Sequence, residues 1–141
     1  MKPPCAARWL LAAAGAVGAV TIVACGLNVQ AADLFLLTRT GQGRTLTLLV
    51  SDGGTIRCDG AAPKALSDPL LIRARVLAAD LDGDARATLR ILPGAGSVSS
   101  YAIKLQNGSI KFPDTAAQHR HELAEAELFA VQAAHGPCGL G

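Results

Sequence analysis

Three histidines fall close to acids near the C-terminal end of the 141-residue chain: His119, His121 with Glu122, and His135. A zinc hydrolase of the zincin type needs H-E-x-x-H on one helix face. That pattern is absent here. His119 and His121 are two apart, so on a helix they diverge and cannot chelate together. His121 and Glu125 share a face, as do Gln118 and Glu122. They read as the ordinary surface of an amphipathic helix, with metal binding by His119, His121 or His135 left open. Asp80-Leu81-Asp82-Gly83-Asp84 is the second acidic cluster. A calcium loop of the EF-hand type puts glycine two places later and a glutamate at position twelve, where this chain has Ile91. The cluster reads as a solvated helix end. Pro93-Gly94-Ala95-Gly96-Ser97 lacks the G-K-[ST] of a phosphate loop, and no serine sits in a G-x-S-x-G elbow. No pair of carboxylates has a spacing that suggests an acid and a base. The residues therefore predict no catalytic set and no cofactor.

The four cysteines say more. Residues 1–24 begin with Lys2 and Arg8, and Leu10 to Ala24 is fifteen residues without a charge. A basic start followed by an apolar core of this length is the layout of an export signal. Ile22-Val23-Ala24-Cys25 closes it and resembles a bacterial lipobox, in which the cysteine thiol is diacylated and becomes the mature N-terminus. Two acyl chains hold a protein firmly to a bilayer, each buried CH2 contributing about 0.8 kcal/mol. Two other readings stay open. Val29-Gln30-Ala31 also suits ordinary cleavage before Ala32, which releases a soluble product without Cys25. Leu10 to Val29 is also long enough to remain as a membrane anchor.

With the leader and Cys25 accounted for, Cys58 and Cys138 remain. In an oxidising compartment they are expected to form one structural disulfide. The mature chain from Cys25 carries 11 basic and 11 acidic residues. Its balanced charge gives no case for nucleic acid. Only five aromatics occur, Trp9, Phe35, Tyr101, Phe112 and Phe129, too few for a base-stacking platform. The expected partners are the membrane, through the N-terminal lipid, and an envelope protein.

The elements follow from periodicity. Leu34 to Thr40, Thr45 to Val50 and Thr55 to Cys58 alternate or run apolar like strands, joined by Gly41-Gln42-Gly43-Arg44 and Ser51-Asp52-Gly53-Gly54. Ser67-Asp68-Pro69 starts a helix, with Ser67 or Asp68 as its cap. Leu70, Ala74, Leu77, Leu81 and Ala85 form its buried stripe, and the segment is expected to end at Pro93. Val98 to Gln106 alternates. Asn107-Gly108 predicts a two-residue turn that sets Leu105 against Ile110, Ile103 against Phe112 and Lys104 against Lys111. Ala116 to His135 predicts the last helix, its stripe formed by Ala117, His121, Ala124, Leu128, Val131 and His135. Gly136 suits the position just past its end. The organisation is a signal peptide over 1–24, a short tether over 25–33 and one α+β domain over 34–141. Its order is β-β-β-α-β-β-α, an antiparallel sheet of about five strands with two helices on one face.

Several stretches together resemble a family of small exported proteins, mostly actinobacterial. They are Asp33-Leu34-Phe35, Thr38-Arg39-Thr40-Gly41, Leu46 to Gly60, Leu66 to Arg75, Leu92 to Val98, Asp114-Thr115 and Cys138-Gly139-Leu140. The resemblance implies export and, through Cys25, a lipid anchor. It implies no activity, cofactor or catalytic residue. The tether here lacks that family's usual Gly/Ser/Asp-rich spacer. The architecture is also similar to that of secreted subtilisin inhibitors, which makes a secreted protease inhibitor the alternative function. Those inhibitors tie their reactive loop with a nearby disulfide, and this chain has one bridge to offer.

Overall fold

The two-residue turn Gln42-Gly43 sets the first register. Both residues have positive φ, 52° and 72°, the conformation that matches the right-handed twist of flanking strands. The turn joins β1 (Asp33–Gly41) to β2 (Arg44–Ser51) with Gly41 opposite Arg44 and Leu37 opposite Leu48. The computed structural model describes residues 29–30 and 32–140. The expected signal peptide over 1–24, Cys25 and most of the expected tether lie outside the described residues.

β3 (Thr55–Cys58) continues the meander and β4 (Lys64–Ala65) is a two-residue edge. After α1 (Asp68–Arg86), β5 (Ser99–Leu105) and β6 (Gly108–Pro113) form a hairpin, and α2 (His121–His135) closes the domain. The sheet is antiparallel throughout, in the order β4-β3-β2-β1-β5-β6. The expected α+β fold is therefore observed, with six strands because the short β4 adds one.

Period-two alternation sorts the sheet into two faces. Phe35 and Leu37 of β1 share one face with Leu48, Val50, Ile56, Ile103 and Ile110. All are fully buried beneath the helices. α1 covers them with Leu70, Ala74, Leu77, Leu81 and Ala85, the five residues of its sequence stripe. Ser67 stands at its N-cap, with no capping bond from its side chain. The helix ends at Arg86, well before Pro93. Thr88 turns the chain with φ +54°, and the following stretch pairs with the sheet instead. Ile91 N–H donates to Lys111 O, and Lys111 N–H donates to Leu89 O, both at 2.9 Å. These bonds cover part of the β6 edge, which strand pairing would otherwise leave open.

The β5–β6 hairpin differs from the sequence expectation. Its turn is Gln106-Asn107, and Gly108 belongs to the strand opposite Leu105. Ile103 faces Ile110, Tyr101 faces Phe112, and Lys111 lies opposite Ala102, with Lys104 opposite Ser109. The partner of each residue moves by two places, so every side chain keeps its face. Tertiary contact decides the turn. A Cβ on Gly108 would stand 1.9 Å from Ala85 O, so the glycine lets β6 abut the last turn of α1. Asn107 Nδ2 donates to Asp82 Oδ1 at 2.9 Å from the turn.

The last helix also differs. A 3-10 turn over Asp114–Gln118 comes first. Arg120 is extended, and α2 starts at His121. Its buried residues are Leu123, Ala126, Phe129, Ala130 and Ala133, while Leu128 and Val131 are 42% exposed. The expected stripe through Ala117, His121, Ala124, Leu128, Val131 and His135 therefore faces largely outward. Phe129 turns the helix: it meets Phe35 edge to face, ring centroids 5.4 Å apart. Alanines beside it let the helix approach the sheet. Gly136 is the C-cap itself, with φ −81°, so it needs no left-handed backbone. Its lack of a Cβ still matters, since one would lie 2.9 Å from Gln132 O.

Candidate functional site

The disulfide forms as expected. Cys58 and Cys138 are bridged with Cα atoms 5.8 Å apart. The bridge ties the segment after α2 to β3, near one edge of the sheet. The exposed loop carrying Leu92 runs along the opposite edge, so the bridge does not anchor that loop as the inhibitor likeness requires.

The histidines do not come together. His121 and His135 open and close α2, about 21 Å apart at 1.5 Å per residue. His119 ends the 3-10 turn. Among the described residues no three His, Cys, Asp or Glu side chains converge to hold a metal ion. Two acids of α1 have structural partners. Asp82 pairs with Arg86 at 2.6 Å, and Asp84 pairs with Arg120 at 2.7 Å, which also reaches Glu122 at 2.6 Å. The hydrogen bond that Arg120 donates to Asp84, together with both acids' charge, outweighs desolvation and raises the pKa of Arg120 above its ordinary value. This network pins the start of α2 to the end of α1.

A polar cluster that the sequence reading did not single out lies on the helix-covered face. In β1, Phe35 and Leu37 point inward, and two residues on so does Arg39, opposite Tyr101. Arg39 Nη2 donates to Ser99 Oγ at 3.5 Å. Asp114 gathers the start of β5: it accepts from Ser97 Oγ at 3.0 Å and from the N–H groups of Val98, Ser99 and Thr115 at 3.0 to 3.1 Å. Desolvation raises the Asp114 carboxyl, but these four bonds outweigh it and hold its pKa below the usual value. Glu127 comes from α2, with Oε1 buried and unpartnered among the described residues. Desolvation, with Asp114 adding to it and Arg39 opposing, raises the Glu127 pKa. The Tyr101 hydroxyl is raised by desolvation first and by Glu127 second. One signal for this cluster was legible: an arginine that follows Phe35 and Leu37 on the inward side of β1.

Arg39 leads into a cleft of about 480 Å³ between the β1–β2 turn and the C-terminal half of α2. Arg44, Asp59 and His135 share its wall with Val131 and Leu140. Asp59 Oδ1 is occupied by Thr47 N–H at 2.7 Å. Among the described residues Arg39 and Arg44 form no salt bridge within 4 Å. Two guanidiniums at one mouth suit a carboxylate or phosphate group. A reaction is harder to build here. Ser97 meets the carboxylate of Asp114, whose lowered pKa makes it a weak base, and no histidine is bonded to a serine among the described residues.

Glu127 gives the cluster a pH signature. A carboxyl raised in the folded state is neutral at low pH in both states, and the fold pays for its ionisation as pH climbs past the unfolded value, about 4.3. Glu127→Gln removes that penalty. The variant is expected to exceed the parent at neutral pH by up to about 1 kcal/mol, discounted because the side chain is only part-buried. Urea midpoints compared near pH 7 and near pH 4 check this, and the gap should shrink at the lower pH.

Comparison with protein-family models, with curated proteins and with solved structures finds no match to this chain.

Proposed function

We propose that this is an exported protein, held at the outer side of the cell membrane by lipid on Cys25, whose α+β domain binds an anionic partner group without catalysis. The observation that carries the reading is Ile22-Val23-Ala24-Cys25 at the end of fifteen uncharged residues. The likeness to small exported actinobacterial proteins agrees with it. So does the Cys58–Cys138 bridge, since disulfides persist in the space such a signal leads to. The Arg39/Arg44 cleft supports binding over chemistry: it offers charge and shape but no activated nucleophile. No helix among the described residues is long and apolar enough to cross a membrane.

Intact mass of the mature protein and membrane fractionation of Cys25→Ala test the reading. The parent should start at a diacylated Cys25 and sediment with membranes. Cys25→Ala should be released or left unprocessed. A normally processed Cys25→Ala protein that stays anchored, or a parent that starts at Ala32 without lipid, overturns the anchor and makes the protein diffusible.

A further inference from the structure

The helices cover one face of the sheet, and the other face is predominantly cationic. Its strand positions include Arg57, Lys104 and Lys111, against one carboxylate, Asp33, at the start of β1 opposite Ser51. Arg90 joins them by pairing in parallel with Lys111, which puts two exposed cations side by side. Like charges directly across a pair repel, a cost that an opposing anionic surface relieves. The two helices carry seven acids against Arg73, Arg75 and Arg86, so the helical layer is net negative.

The same face has the chemistry of an interface with headgroups. One row across the sheet reads Arg57, Leu49, Leu36, Lys104, two part-buried leucines flanked by cations. The next row contributes Thr47 and Thr38 hydroxyls. The chain arrives at this end of the sheet: Gln106 Nε2 donates to Gln30 O and Asp33 O at 2.9 and 3.2 Å. From Cys25 to Asp33 is eight residues, at most on the order of 28 Å of extended chain.

We infer that the open sheet face docks flat on an anionic phospholipid surface, with Arg57, Arg90, Lys104 and Lys111 toward the headgroups. The docking rests on the lipid-anchored reading for its tether, which keeps the face at high effective concentration above the bilayer. The orientation turns the acidic helices and the Arg39/Arg44 cleft away from the lipid, where a soluble partner can reach them.

Lysines make the test direct. Beyond the leader the chain has only Lys64, Lys104 and Lys111. Lys64 lies opposite Ile56 on edge strand β4, on the helix side, and serves as the internal control. The protein with its native N-terminus is mixed with phosphatidylglycerol vesicles or phosphatidylcholine vesicles and labelled with a water-soluble amine reagent. Peptide masses then give each labelling rate. On phosphatidylglycerol, Lys104 and Lys111 should label more slowly relative to Lys64, and on phosphatidylcholine they should not. Arg57→Gln/Arg90→Gln keeps all three lysines and should lower the docked-to-undocked ratio roughly 25-fold, about fivefold per charge near such a surface. Equal labelling on both vesicles overturns the inference, as does protection by soluble polyglutamate with none on vesicles. The N-terminal peptide reports separately whether Cys25 carries lipid, so a missing anchor and a face that does not dock are read as different results.

Discussion

Replacing Cys58 with Ser lowers the stability of the oxidised domain by about 4 kcal/mol, the chain-entropy value for a closed loop of this size. The loop spans 80 residues and encloses α1, the β5–β6 hairpin and α2. Opening it restores conformational freedom to most of the unfolded chain. A small domain holds only about 5–15 kcal/mol in total, so the loss is a large share. Denaturant midpoints with and without reductant check it. The parent should drop on reduction, and Cys58→Ser should not respond. Equal parent midpoints in both conditions would mean that core burial alone carries the fold.

The second large effect is expected at Phe129. Its ring is fully buried against Phe35, and Phe129→Ala should cost about 3–5 kcal/mol in transfer energy and cavity. The neighbouring Leu128→Ala should cost well under that, since Leu128 is 42% exposed. The pair is a test of how α2 is turned. A stripe through Leu128 and Val131 would reverse the order of the two losses, which urea unfolding of both variants resolves.

These two residues also show where reading the sequence stopped. α2 contains seven alanines or leucines on several sides, so the helical period alone admits more than one apolar stripe. α1 was less ambiguous: Ile72 and Val76 also stand exposed on it, but arginines and aspartates break up its other faces, and its five core residues were legible one by one. The hairpin gave a similar lesson. Asn107-Gly108 has the composition of a tight turn, yet Gly108 is spent on close approach to Ala85 O. A glycine has two uses, positive φ and absence of a Cβ, and sequence does not say which one applies. The Arg39–Asp114–Glu127 cluster was out of reach for another reason. Its members come from β1, the 3-10 turn and α2, and nothing local links residues 39, 114 and 127.

What the sequence determined by itself is what depends on neighbours in the chain: the uncharged run from Leu10 to Ala24 before Cys25, the strands by alternation, α1 by its stripe, and the Cys58/Cys138 pair expected to bridge. These signals have short range, since a period of 2 or 3.6 residues is a property of one segment. Tertiary structure alone decided which side of α2 is buried, which residues turn the β5–β6 hairpin, and how Arg39 and Glu127 come to share one buried corner. It also distributed the charges, gathering Arg57, Arg90, Lys104 and Lys111 on the open sheet face and leaving the two helices net negative. Each of these is set by packing between segments far apart in the chain, where the shape of one surface selects among options that local propensity leaves equal.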